Sequence, residues 1–192
     1  MSRRNGREVS LLYVANILCG ERAMVITSAL PGSGKTTVAK AIQPAASKRF
    51  SADDFFYGNG DGGSHNFDPS LIGEAHRSCA WGVMMAFGVN QRGPLVVHNT
   101  ATSDWEISPY ILMGQAMHWK PLVLTIHASI EDCMARQVHG VPERTMQIMA
   151  QNMSKVDRVK LHWDHVEVTD KEALSLAEMI KTSRSSDPEL DW

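Results

Sequence analysis

The stretch Ala29-Leu30-Pro31-Gly32-Ser33-Gly34-Lys35-Thr36-Thr37, "ALPGSGKTT", follows directly on the apolar run "MVITS". A short apolar run rich in β-branched residues predicts a buried strand. The glycines predict a tight turn, and Gly34 to Ile42 reads as the opening of a helix. A strand that enters a small-residue turn and leaves as a helix gathers successive backbone N–H groups around one point. That nest, with the positive end of the helix behind it, favours an anion.

The spacing fits G-x-x-x-x-G-K-[ST], the P-loop pattern, except that Ala29 stands at the first glycine. Alanine is small enough for the turn, and Gly32 adds freedom inside it. Gly32, Ser33, Gly34, Lys35, Thr36 and Thr37 are therefore the expected nucleotide-binding set. Lys35 would reach the β and γ phosphates, and the Thr36 hydroxyl would be the metal ligand, to Mg²⁺. Thr37 could cap a phosphate oxygen.

The chain has 192 residues, 43 % hydrophobic and 21 % charged, which is the composition of one globular domain. A formal charge of -2 supplies no general basic field, so any nucleic-acid contact needs a local patch. Cys19, Cys79 and Cys133 form no CxxC pair, and isolated thiols suit a reducing, cytoplasmic compartment. His162 and His165 are close in sequence, yet packed or surface histidines explain them better than a metal site. Arg3, Arg4 and Arg7 before "VSLLYVANILCG" resemble a signal peptide only faintly, because Asn16 interrupts a run too short to span a bilayer. Ser10 to Cys19 reads as a short helix or strand packed on the domain edge, and no membrane partner is expected.

Strand-like runs recur at 23–28, 48–52, 94–99, 121–128 and 165–170, with helical segments between them. Helices are expected from Asp68-Pro69 to about Phe87, from Ser103-Asp104 to about Trp119, and over "SIEDCMARQ". Two more are expected from Pro142 to Val156 and from Asp170 to Lys181. The alternation predicts an α/β fold: a P-loop NTPase-like, mainly parallel five-stranded sheet with helices on both faces and a lid segment near 135–145. Residues 1–22 read as an N-terminal extension, 23–182 as the kinase-like domain and 183–192 as a disordered tail. The glycine-rich "YGNGDGGSHN" at 57–66 reads as a loop. The methionines at helical spacing, Met84, Met85, Met113, Met117, Met146, Met149 and Met153, read as packing residues.

"FSADDFF" places Asp53 and Asp54 at the carboxyl end of the second of these strands, the edge that faces ligands in open α/β sheets. A carboxylate there can accept the proton of an attacking hydroxyl. Asp53 is the expected general base, and Asp54 a helper or loop anchor.

With these pieces in order, "PGSGKTT", "SADDFF", "FDPSLIGEAHRSC", "VVHNTATSDWEISPY" and "ARQVHGVPERTMQIM", the chain from about Met24 to Met153 resembles P-loop kinases of the polynucleotide kinase type, in a branch of small ATP-binding domains. The resemblance implies ATP (or another NTP) and Mg²⁺ as cofactors and Lys35, Asp53 and Arg136 as catalytic residues, with Arg136 closing over the transferring phosphate from the lid. It implies further lid roles for His139 and Arg144, and an acceptor-side role for Asn99, with Thr100, at the end of the third strand. His98 stands where the family usually has an acidic residue. Ala52 and Phe56 stand where it tends to carry arginines, and Arg77 on the next helix is the candidate to replace that cation.

Asp54, Arg77, His98 and Asn99 thus complete the expected substrate side, with His76 and Trp105 as weaker candidates. Lys155, Arg158 and Lys160 are read as a solvated face. The leading expectation is transfer of the γ-phosphate to the 5′-hydroxyl of a nucleic-acid end. The alternatives are a small-molecule kinase acting on a nucleoside, sugar or antibiotic, and a nucleotide-binding module with little or no turnover. The sequence leaves open the acceptor, the choice of DNA or RNA, any homo-oligomer and any partner enzyme.

Overall fold

The computed structural model describes residues 2–45, 48–57, 67–88, 93–156 and 164–185. The glycine-rich segment from 58 to 66, Arg158, Lys160, His162 and residues 186–192 lie outside the described residues.

Each apolar run forms a strand: β3 (Ala23–Ala29), β4 (Arg49–Phe50), β5 (Leu95–Val97), β6 (Lys120–His127) and β7 (Asp164–Thr169). These five run parallel in the spatial order β7-β6-β3-β5-β4. The sheet nevertheless has seven strands, not five. The first residues add β1 (Ser2–Arg4) and β2 (Arg7–Val9), an antiparallel hairpin whose β1 pairs with β7. The physical reason is the turn: Asn5 at φ 47° and Gly6 at φ 79° make a two-residue connection whose twist matches that of paired strands. Asn5 also ties the hairpin down, donating to Asp164 Oδ1 at 3.0 Å and accepting from the His165 amide at 3.0 Å. Arg4 and Asp164 form an ion pair beside it.

The helices cover both faces. On one side lie α1 (Leu11–Leu18), α2 (Lys35–Ile42) and α8 (Asp170–Ser185), packed on Val25, Val96, Leu124 and Val166. On the other lie α4 (Ile72–Gly88) and α5 (Asp104–Ala116), packed on Met24, Ile26, Leu95 and Val123. Burial on both faces explains why the strands read as unbroken apolar runs. A third, smaller cluster sits at the carboxyl edge of the sheet, where α6 (Ile130–Arg136) and α7 (Glu143–Lys155) close on Leu30 through Cys133, Met146 and Met153. The one-turn helix α3 (Asp54–Tyr57) follows β4. Among the described residues no helix is long and apolar enough to cross a membrane.

Three helix limits differ from the sequence reading, the first being α5, which ends at Ala116 rather than about Trp119. A 3-10 turn at Pro69–Leu71 precedes α4, because the Asp68 side chain accepts from the Ser70 amide and tightens that start. The last helix, α8, continues to Ser185, four residues past the expected end at Lys181, so residues 183–185 are helical rather than tail. The Arg184 guanidinium donates to the Ile42 carbonyl at the end of α2 and holds this final turn in place. Met146 and Met153 are buried as expected, whereas Met84, Met85 and Met117 are exposed.

Leu124 is fully buried in β6 among side chains of the first face. Leu124→Ala should lower unfolding free energy by about 3 kcal/mol, because the surrounding sheet cannot collapse into the gap. Denaturant titration of both proteins checks this through the midpoint at constant slope.

Candidate active site

The turn between β3 and α2 sets the geometry. Gly34 sits at φ 92°, ψ 6°, the left-handed conformation, and no side chain caps α2. The first-turn amides of α2 therefore have no intrahelical or side-chain acceptor, which leaves them available to an anion. Gly32 sits at φ 81°, and a Cβ there would lie 2.3 Å from the Cys133 carbonyl oxygen and 3.0 Å from the Gln137 nitrogen. The loop is thus pressed against the end of α6, and only glycine fits. Ala29 at the usual glycine position is buried as the last residue of β3, and its amide donates to the Thr100 carbonyl at 2.8 Å.

Lys35 is 7 % exposed and forms no hydrogen bond or ion pair with a described residue. Burial lowers its pKa, and the field of Asp53 opposes that shift. The Ser33 hydroxyl is buried without a hydrogen-bond partner. Thr36 and Thr37 are exposed on the first turn of α2. A buried cation, an orphaned hydroxyl and uncapped amides form one donor set, and a polyphosphate satisfies all three.

Asp53 is exposed in the turn after β4, and its amide donates to Ser51 Oγ at 3.2 Å. Asp54 turns back instead, accepting from the Ser51 amide at 2.9 Å, so it is a loop anchor. Its pKa is raised, mainly by burial. Asn99 is buried and holds the same turn from β5: its Oδ1 accepts from the Ala52 amide at 2.8 Å. Its Nδ2 faces the Tyr110 hydroxyl at 3.4 Å and Cys79 Sγ at 3.7 Å. Asn99 therefore positions the Asp53 turn.

His98 lies between these parts. Its amide donates to the Phe50 carbonyl at 2.9 Å. Its pKa is pushed down to about 4, first by burial, then by Lys35 and Arg49, against the opposing field of Asp53. The imidazole is therefore neutral at pH 7 and does not replace a carboxylate.

The remaining candidates are dispersed. Arg136 donates to Asp170 Oδ2 at 2.8 Å and to the Asp132 carbonyl at 2.9 Å, so the start of α8 holds it. Arg77 is paired with Glu74 on its own helix. Arg144 is exposed on the first turn of α7, and His139 is exposed in the loop before it. That loop is clamped by Gln137, whose side chain donates to the Val141 carbonyl at 2.8 Å and accepts from the Val141 amide at 2.7 Å.

Sequence reasoning missed Arg49, Asp170, Tyr110 and Cys79. Arg49 was findable: it lies in the strand-like run 48–52 that leads directly into Asp53. Nothing in the spacing joins Cys79 to Tyr110 or Arg136 to Asp170.

No family model matches the chain. A curated relative, NEDD4-binding protein 2 of Homo sapiens, is 28 % identical over 140 residues, which is 69 % of this chain. The chain spans only 8 % of that protein's length. Two solved structures share the architecture. One is a sugar kinase from Janibacter sp. HTCC2649, at TM-score 0.52 and 16 % identity, covering 88 % of this chain and 97 % of that one. The other is the shikimate kinase of Acinetobacter baumannii in complex with shikimate, at TM-score 0.50 and 14 % identity, covering 86 % and 93 %. The chain has the P-loop kinase fold. At these identities the likeness speaks for the fold and not for the reaction.

Two outcomes follow from this geometry. Gly32→Ala should weaken ATP binding and destabilise the fold by about 1–3 kcal/mol, since backbone must move from the Cys133 carbonyl; calorimetric titration and denaturation check both. For His98, the folded pKa lies below the ordinary 6.5. Between those values the unfolded chain binds a proton that the folded chain does not. The stabilisation is therefore complete above pH 6.5 and lost as pH falls toward about 4. Denaturation midpoints across that window should fall less steeply for His98→Gln than for the parent.

Proposed function

We propose that this chain is an ATP-dependent phosphotransferase that moves the γ-phosphate to a hydroxyl of a small molecule. The observation that carries the reading is Lys35: a buried ammonium without a partner among the described residues, at the mouth of an uncapped helix, in the field of Asp53. A buried cation of this kind is costly unless an anion joins it. ATP would bring that anion, and Mg²⁺ held by Thr36 would neutralise developing phosphate charge.

The chain's own residues supply the rest. The amides of Gly34, Lys35 and Thr36 and the Ser33 hydroxyl orient the phosphates. Asp53 takes the proton of the acceptor hydroxyl as its oxygen bonds to phosphorus. The bond from that phosphorus to the bridging oxygen breaks, and ADP leaves with the electron pair. Neutral His98 would hydrogen-bond the acceptor hydroxyl without drawing a second proton. Arg136 must exchange Asp170 for phosphate to act in transfer.

The acceptor edge supports a small molecule over a nucleic-acid strand. Among the described residues it carries Asp53, Asp54, Asp68 and Asp104, while Arg77 and Glu74 neutralise each other and Arg49 acts on Asp54 and His98. A strand is held mainly by lysines and arginines on its phosphates, and this rim would repel them. The ordered motif set from Pro31 to Met149 favours a second reading, the 5′-hydroxyl of a polynucleotide.

Labelled γ-phosphate transfer to a panel of nucleosides, sugars and 5′-hydroxyl oligomers decides between them. Small acceptors should be labelled, and Asp53→Asn should reduce kcat by about 100-fold or more while leaving ATP affinity near parental. Lys35→Ala should lower both. Label confined to oligomers would establish the second reading. ATP binding with no transfer to any acceptor would leave a nucleotide-binding module.

A further inference from the structure

The start of α5 carries a side chain that the core does not use. Ile107, Tyr110 and Ile111 fill the buried positions of this helix, while Trp105 is 67 % exposed. Trp105 is nonetheless held: its ring lies 5.9 Å from that of His76 on α4, with planes 58° apart. A tilted pair at this distance steadies the indole and leaves one of its faces to solvent.

The pair is also tied to the catalytic turn. His76 stands one helical turn before Cys79, on the same side of α4. The Cys79 sulfur accepts from the Tyr110 hydroxyl at 3.3 Å and faces Asn99 Nδ2. Asn99 in turn accepts from the Ala52 amide, next to Asp53. Cys79, Tyr110 and Asn99 therefore join α4 and α5 to the Ala52–Asp53 turn, and the ring pair stands near the starts of those two helices. All of this lies at the carboxyl edge of β4 and β5, on the acceptor side of the phosphate cradle.

We infer that the His76–Trp105 pair is the platform on which the acceptor's planar ring stacks, so that the acceptor is a nucleoside-like compound whose hydroxyl is presented to Asp53. This rests on the phosphotransferase reading and narrows its substrate class. An exposed indole face binds a flat π-system through stacking and offers much less to an acyclic polyol. Glu74 is paired with Arg77, so among the described residues no free arginine stands beside His76 on α4 to hold a phosphorylated acceptor.

The test uses the full chain with adenosine, uridine and xylitol as acceptors, and the variants Trp105→Ala, Trp105→Phe and His76→Ala. The platform predicts transfer to the nucleosides in preference to xylitol. Trp105→Ala should raise the nucleoside KM about ten-fold with kcat changed little, and Trp105→Phe should restore most of it. ATP affinity should not move in any variant, which separates a lost platform from a damaged fold. An unchanged KM in Trp105→Ala, or a preference for xylitol, overturns the inference. If no acceptor is labelled, the phosphotransferase reading fails and the platform is judged by equilibrium titration of adenosine in the presence of ADP. Binding that Trp105→Ala abolishes and Trp105→Phe retains supports it, and binding indifferent to both, or none, overturns it.

Discussion

The contact between Gly32 and the end of α6 governs the rest of the site. The loop can pass the Cys133 carbonyl only because position 32 has no side chain. That passage fixes where Gly34 turns left-handed and where α2 begins. The start of α2 decides where Lys35 is buried and where the first-turn amides point. A shift of one ångström in the loop would alter every donor in the cradle together, since all hang on one backbone path. The same contact couples the cradle to the α6–α7 unit, whose cluster of Leu30, Cys133, Met146 and Met153 includes a loop residue. The glycine-rich loop and the segment expected to act as a lid are therefore mechanically adjacent.

The Asp53 turn depends on a different kind of constraint. Asp53 is exposed and has little packing of its own to fix it. Its turn is held by hydrogen bonds: Asp54 to Ser51 from within, and Asn99 to Ala52 from the neighbouring strand. Buried polar groups of this sort specify one arrangement, because leaving any of them unpaired is costly. Neutral His98 between Lys35 and Asp53 fits such a site. A second carboxylate at that position would compete with Asp53 for the lysine's field.

The parts legible from sequence were those written in local pattern. The strand, glycine turn and helix around Gly34 follow from composition and spacing within nine residues, and the five parallel strands follow from apolar runs buried on both faces. The β1–β2 hairpin was written just as locally, in Asn5-Gly6, but three-residue strands carry too little periodicity to register beside the arginines that flank the turn. What the sequence does not reveal are pairings across distance. Asp170 holds Arg136 from the carboxyl end of the neighbouring strand, and Cys79 meets Tyr110 only because α4 and α5 share one face of the sheet. Burial of Lys35 was likewise hidden, since a lysine at a helix start is exposed unless a loop and a second helix enclose it.

The central claim is that the β3–α2 turn is a polyphosphate cradle. Amide chemical shifts of Gly32 to Thr36, followed by NMR during titration with ATP and separately with AMP, test it most directly. The account predicts large, saturable shifts of these amides with ATP and much weaker ones with AMP, which lacks the β and γ phosphates. Shifts of equal size with both nucleotides, or none at these residues while others respond, would contradict it.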